Sequence, residues 1–401
     1  VTLNGGEHWT QLKSGIPTIS VRDMVIQEEE NALALATFGR GFYILDDYSP
    51  LREISNEVME KEAHIFEIPE ALMFTEKGNK YGQGSTEFLG TNPEFGAAIT
   101  YYLGDSPKTL KQRRKSKEKE IDPKEERIPM PEQSRLRDED FESKPHLIFD
   151  ISDAEGNHVR RLTKAASKGI SKIHWNFRYE SVNPQTSDND FNPMQDGGSG
   201  VLAVPGKYQV KISLYQNGEI TELTEPKPFD CRLLNNRTLP ASDHAEMVAF
   251  QQKMHELSRV IRGTYSWAKD LKERMQQLRQ VTYRTPEAGH DFIKRTRQID
   301  KELADILYEF EGRTPPASRE ENPPAPVALN ERLSNMVYTH WRSTSDITNT
   351  EKQLYNILSD EFPPVLDELK KLYEEKILPL EEELETLKAP YTPGRIPEWN
   401  E

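Results

Sequence analysis

Near residue 241 the apolar residues change period, and no other feature constrains the fold as strongly. Upstream they alternate with polar residues, the two-residue period of a strand covered on one face. Downstream they recur at three- and four-residue steps, the period of an amphipathic helix. Ile173, Trp175, Phe177 and Tyr179 alternate with His174, Asn176 and Arg178, which reads as one strand. Tyr208, Val210, Ile212 and Leu214 alternate likewise, after Pro205-Gly206 and ahead of Asn217-Gly218, a strong hairpin signal. Residues 147–151 and 159–162 flank a turn at 153–157 and make a second hairpin. Ile173, Trp175, Phe177, Tyr208, Val210, Ile212 and Leu214 are expected to share one core, because a one-residue slip would expose the whole set.

Met247, Phe250, Met254, Leu257, Ile261, Thr264, Ala268, Leu271, Met275 and Leu278 predict a long helix capped by Ser242 or Asp243. Phe292, Thr296, Ile299, Leu303, Ile306 and Phe310 predict a second. Leu333, Val337, His340, Thr344, Ile347, Leu354 and Leu358 predict a third. A fourth, through Leu366, Leu369, Tyr373, Ile377, Leu380, Leu384 and Leu387, is expected to follow Pro363-Pro364. The proline-rich stretch 314–326 splits the four into two hairpins. Residues 241–388 therefore read as an antiparallel four-helix bundle, with a tail over 389–401. Strands first and helices afterwards give a multidomain α+β class. Its parts are strands over 1–50, an immunoglobulin-like β-sandwich over 63–234, and the bundle. Two stretches interrupt the sandwich. Residues 108–143 are dense in Lys, Arg and Glu and read as a solvated excursion or short charged helix, and residues 187–200 are an Asp-, Asn- and Gly-rich surface loop.

The 401 residues leave room for two to four domains, and the net charge of -15 argues against nucleic acid and anionic membrane as partners. No apolar run approaches the ~20 residues of a membrane-spanning helix. Cys231 stands alone, which excludes an internal disulfide, a zinc-cysteine cluster and a CxxC motif.

The chain opens Thr2-Leu3-Asn4-Gly5-Gly6-Glu7-His8-Trp9, the S/T-x-D/N-x-G-x-x-W spacing of an Asp-box turn. Asn4 can bond the backbone that follows, Gly6 can take positive φ, and Trp9 is placed to start a strand over 9–12. Three further β-rich runs, 21–26, 32–37 and 42–45, follow it. A propeller blade has four strands and cannot bury its faces alone. Residues 1–50 therefore read as an incomplete final blade, completed by a strand from outside, and the chain as the C-terminal part of a larger protein.

The Asp box of Thr2, Asn4, Gly6 and Trp9, the run Thr37-Phe38-Gly39-Arg40-Gly41-Phe42-Tyr43-Ile44-Leu45-Asp46-Asp47, the Pro-Gly-Lys-Tyr strand, the paired helices and the closing Tyr391-Thr392-Pro393-Gly394-Arg395-Ile396-Pro397-Glu398-Trp399 occur in one order. Together they resemble the C-terminal portion of bacterial, Bacteroidetes-type BNR/Asp-box, sortilin-like β-propeller proteins, often labelled glycosyl hydrolases. The resemblance implies a secreted, periplasmic or cell-surface protein. It departs at Phe38, where such proteins tend to carry His.

Arg40, in its Gly-Arg-Gly turn, is a candidate to hold a carboxylate or sugar acid, but a structural Arg bonded to turn carbonyls or Asp46 is the plainer reading. Asp46 and Asp47 are paired carboxylates, the residue type of a glycosidase couple, but adjacent strand residues point to opposite faces and would not flank one glycosidic bond. Asp188, Asp190, Asn192 and Asp196 place oxygen ligands as calcium loops do, but Pro193 stands where such a loop needs Gly, and an ordinary polar loop is the plainer reading. His174, Trp175, Asn176 and Arg178 could form a carbohydrate platform, although Trp175 points with the core. His340 and Trp341 sit on the third helix. No inward Glu-x-x-His is present, since Gln252 and Val337 precede His255 and His340, so no metal or cofactor is expected.

The sequence thus reads as a non-catalytic structural and interaction region. Its expected partners are the remaining propeller of the same protein or an associated chain, and a cell-surface protein or glycan. The alternatives are part of a sialidase-like glycoside hydrolase whose active site lies in other blades, and a sortilin-like peptide receptor.

Overall fold

The computed structural model describes residues 1–12, 15–74, 86, 92–122, 127–185, 191–195, 197–234, 241–315, 317–321, 323–341 and 345–399, with the side chains of 319 and 339–341 excepted. The chain is mixed α and β, with several sheets, one curled as a half-barrel, and a helical region. It divides into two compact units. The first holds residues 1–180, 191–199 and 203–236, and the second holds 181–190, 200–202 and 237–401.

In the first unit, β1 (Val21–Gln27), β2 (Ala32–Thr37) and β3 (Phe42–Leu45) form a three-stranded antiparallel meander in that order. Its register sorts the side chains into two apolar faces. One carries Val25, Ala34 and Ile44, the other Met24, Leu35 and Tyr43 together with Ile26, Leu33 and Leu45. Neither face is covered: Met24 is 63% exposed and Phe42 80%. A tight turn over residues 2–8 forms ahead of it. The Gly6 amide donates to Thr2 Oγ1 at 2.8 Å and the His8 amide to Asn4 Oδ1 at 3.0 Å, with Gly6 at φ 101°. The strand expected over 9–12 is absent and Trp9 is 75% exposed; the Thr10 amide and carbonyl instead bond Val1, each at 2.8 Å, closing the turn on itself. Two short helices, α1 (Pro50–Glu53) and α2 (Asn56–Met59), lead out of the meander.

The remaining strands are β4 (Ala63–Ile65), β5 (Ala71–Met73), β6 (Ala97–Leu103), β7 (His146–Asp153), β8 (His158–Ala165), β9 (Gly169–Trp175), β10 (Arg178–Glu180), β11 (Ser199–Leu202), β12 (Gly206–Gln216), β13 (Glu219–Glu222) and β14 (Lys227–Leu233). One sheet has the order β4-β6-β9. The other runs β5-β14-β12-β7-β8, with β13 paired to β12. The sheets share a core. Tyr101 of β6 meets Phe149 of β7 at 5.0 Å between ring centroids, and Trp175 of β9 meets Tyr208 of β12 at 4.8 Å. Of the seven residues expected to share this core, Trp175, Phe177, Tyr208, Val210 and Ile212 are buried, and Ile173 and Leu214 are half-buried.

Residues 173–179 are not one strand. β9 stops at Trp175, and Phe177 adopts φ 57°, so its ring enters the core from a left-handed break rather than by alternation. The charged stretch 108–143 contains two helices, α3 (Leu110–Glu120) and α4 (Gln133–Phe141). Neither has a buried residue. They are joined by Arg114, whose guanidinium forks onto Glu139 at 2.7 and 2.8 Å.

The second unit is helical. α5 (His244–Arg284) starts where expected, with Asp243 accepting from the Ala245 and Glu246 amides. α6 (Gly289–Glu311) follows, then α7 (Leu329–Trp341) and α8 (Asn349–Leu372), each packing against the others. The third and fourth helices differ from expectation. α7 ends at Trp341, and Leu354 and Leu358 belong to α8, which starts at a capping box formed by Thr348 and Glu351. α8 then runs through Pro363 and Pro364 instead of beginning after them. Each proline removes one backbone hydrogen bond, but the buried face of Leu358, Phe362, Leu369 and Leu372 holds the helix across the gap. A π-turn over Tyr373–Ile377 joins it to α9 (Leu378–Thr386). The tail packs back on this unit. Arg395 reaches Glu385 at 2.6 Å beneath the Tyr391 ring, and Gly394 lies against the guanidinium of Arg274, which pairs with buried Glu381. Among the described residues no helix is long and apolar enough to cross a membrane.

Candidate functional site

A large cleft of the first unit, about 1070 Å³, opens between the meander and the β4-β6-β9 sheet. Gln27, Glu30 and Ala32 of the β1-β2 hairpin line one side, with Asp46 and Asp47 from the end of β3. The opposite side comes from Pro69, Leu72 and Phe74 around β5, and from Pro93, Glu94, Phe95 and Gly96 on the approach to β6. Lys172 and His174 of β9 complete it.

Gly96 fixes that approach. It sits at φ 131°, and a Cβ there would lie 2.3 Å from the main-chain oxygen of Trp175, so only glycine lets the turn come this close to β9. The closeness puts Glu94 beside His174, which is paired across the strands with Ala98. Glu94 Oε2 lies 2.9 Å from His174 Nδ1. Burial lowers the His174 pKa from its usual value, and the Glu94 carboxylate partly offsets this while Lys172 adds to it. With Glu94 ionised, Nδ1 carries the proton and Nε2 keeps its lone pair. The apolar wall is continuous with the core. Phe74 packs on Phe95 at 5.0 Å, Phe95 on Phe177 at 5.4 Å, and Phe177 on Trp175 at 5.6 Å.

The structure separates the residues singled out in the sequence. Asp46 and Asp47 line the same cleft, because β3 stops at Leu45 and strand alternation no longer governs them. Asp47 is also engaged locally, its Oδ1 accepting from the Ser49 amide at 2.8 Å. Arg40 is exposed at the opposite end of β3, a four-residue strand, roughly 13 Å away at the usual rise per residue, and does not line the cleft. Of the four platform candidates only His174 reaches the cleft. Trp175 is core, its Nε1 donating to the main-chain oxygen of Arg178 at 3.0 Å, and Asn176 donates to Ser199 Oγ at 2.9 Å. Asp188, Asp190 and Asp196 of the calcium candidate lie outside the described residues. Asn192 is exposed, and its side chain caps the Met194 amide at 3.1 Å. The side chains of His340 and Trp341 also lie outside the described residues. Among the described residues no cluster of three or more metal-ligating side chains occurs. Cys231 is buried in β14, and burial pushes its thiol pKa up to about 12.

Glu94 and Lys172 have no sequence signal of their own. The turn Asn92-Pro93-Glu94-Phe95-Gly96 marks a loop, but nothing in it says that the loop closes on His174. Chemically the cleft combines a proline- and phenylalanine-lined wall, several carboxylates and one oriented imidazole. No Ser, Thr, Cys or Tyr side chain is among the described residues lining it. Comparison with protein-family models, curated proteins and solved structures finds no match.

Proposed function

We propose that this chain is a non-catalytic structural and interaction region of an exported β-propeller protein. The observation that carries the reading is the meander of β1, β2 and β3, which is apolar on both faces and uncovered on both. A sheet that ends a fold has one face for the core and one for water. A sheet apolar on both sides suits a layer between two others, as a propeller blade is, and its unpaired edges suit pairing with a further strand. The alanines of β2, Ala32, Ala34 and Ala36, lie on one face and leave room for a neighbouring blade to come close. On this reading the two sheets behind it are an immunoglobulin-like sandwich, the helical unit is an antiparallel bundle that serves as a scaffold, and the cleft at Glu94 and His174 takes a protein or glycan partner.

Hydrogen exchange tests this reading. In the assembled native protein, the amides of β1 and β3 are expected to exchange far more slowly than in the isolated 401-residue chain. Equal, fast exchange in both would reject the blade.

A further inference from the structure

The helical unit carries a second candidate site that has nothing in common with the cleft. Two hollows, of about 390 and 430 Å³, share Arg279 and Tyr283; the first lies between α5 and α6, and the second is lined by α5 alone. Four cationic side chains line them, Arg279, Arg284, Lys294 and Arg297, and no carboxylate among the described residues does. This is unexpected in a chain of net charge -15, with 67 acidic residues against 52 basic ones. The neighbouring acid, Asp300, is half-buried and shared. Its Oδ2 takes Nη1 of Arg279 at 2.7 Å and Nη1 of Arg297 at 3.4 Å, so two guanidiniums converge on one carboxylate with a full positive charge to spare. Lys294 meets Asp291 only at 3.4 Å, with both side chains in solvent, a pairing that leaves the ammonium available.

The remaining lining narrows the ligand. The Tyr283 ring, 69% exposed, stands where the two hollows join. An exposed aromatic ring offers an apolar face for the C–H side of a pyranose. Gln276, Gln280 and Gln298 surround the guanidiniums with amide donors and acceptors suited to hydroxyl groups. The guanidinium fork suits a carboxylate or sulfate. Each hollow has room for about one sugar ring. A long polyanion would extend beyond the patch onto a surface that is acidic elsewhere, which favours a short ligand. We infer that the α5-α6 groove binds a short acidic saccharide, with an anionic group held by Arg279 and Arg297 and a sugar ring stacked on Tyr283. This does not depend on the reading of the three-stranded meander.

Titration calorimetry of the whole chain with trigalacturonic acid tests it, with the methyl-esterified trimer as the neutral control and a sulfated disaccharide as a second anionic source. Binding of the acid trimer is expected, with the ester at least 10-fold weaker. Arg297→Gln and Tyr283→Ala replace exposed side chains, and each should weaken binding about 10-fold while helicity stays unchanged. Asp300→Asn should instead tighten it severalfold, because it frees both guanidiniums. Binding of the sulfated sugar alone would support the site and assign sulfate as its anion. Failure of every acidic sugar to bind, equal binding of the ester, or affinity indifferent to Arg297→Gln and Tyr283→Ala would overturn the inference.

Discussion

Replacing Trp175 with alanine probes the core and the cleft in one experiment. The side chain is fully buried. Its ring lies 4.8 Å from Tyr208, 5.6 Å from Phe177 and 6.1 Å from Phe229, so it ties three other aromatics together across both sheets. Its Nε1 also satisfies the main-chain oxygen of Arg178 at 3.0 Å. Losing a buried Trp side chain costs about 3–5 kcal/mol, through lost transfer energy and the cavity left behind. Loss of the Nε1 hydrogen bond along with the packing places the expectation in the upper part of that range. Trp175→Phe keeps most of the packing and loses the N–H, so it should cost about 1–2 kcal/mol. A chain with two compact units need not unfold in one step, so the readout should be local. Hydrogen exchange at β9 and β12 amides should accelerate by roughly three to three and a half decades for Trp175→Ala, at ~1.4 kcal/mol per decade. Exchange in α5 and α6 should not change. A loss below about 1 kcal/mol would refute the reasoning, because it would mean that the ring is not the bridge between the sheets.

Two further predictions concern the cleft. Gly96→Ala should destabilise the sheet unit by more than ~2 kcal/mol, from positive-φ strain and from a Cβ forced against the Trp175 carbonyl, whereas Gly206→Ala, which meets nothing within 4 Å, should cost under ~1 kcal/mol; urea titrations of the two variants check this. His174, whose folded pKa is depressed chiefly by burial, takes up a proton more readily when unfolded, so the sheet unit should lose stability as pH falls through the ordinary histidine range near ~6.5 and keep it above; His174→Gln should flatten that slope between about pH 7 and 5, and an unchanged slope would reject the assignment.

Periodicity carries much of the architecture. The segregation of strands and helices, the Asp243 cap and the first two long helices are legible because each rests on local repetition over many residues. Tyr208, Val210 and Ile212 are legible for the same reason. The later helix boundaries are not. Pro363-Pro364 reads as a start signal, but a proline pair marks only a missing pair of donors, and a well-buried face outweighs it. The true start, Thr348 with Glu351, is a capping box whose residues stand in the sequence, inside what reads as a continuous third helix. Phe177 reaches the core by a positive-φ break, which no two-residue pattern encodes. The cleft is barely legible. Asp46, Asp47 and His174 each stand out in the sequence, yet their shared position depends on where β3 ends and on how closely Gly96 lets a loop approach β9. Such distances are set by tertiary packing between residues far apart in the chain.

The parallel pairing of β5 with β14 has a consequence for how the protein is made. β14 is the last strand of its sheet, and it closes beside one of the first, with Arg232 paired to Glu70 across 162 residues. As the chain leaves the ribosome, β5 must wait for nearly all of the first unit before its neighbour exists. The hairpins β7-β8 and β12-β13 can form meanwhile from adjacent residues. Closing so long a loop is entropically costly and slow. During that delay the open edge of β14's future site is exposed to other nascent chains. Synthesis of this protein should therefore be limited by aggregation of the emerging sheet unit, and slower elongation past residue 233 should raise its yield more than any change in the helices.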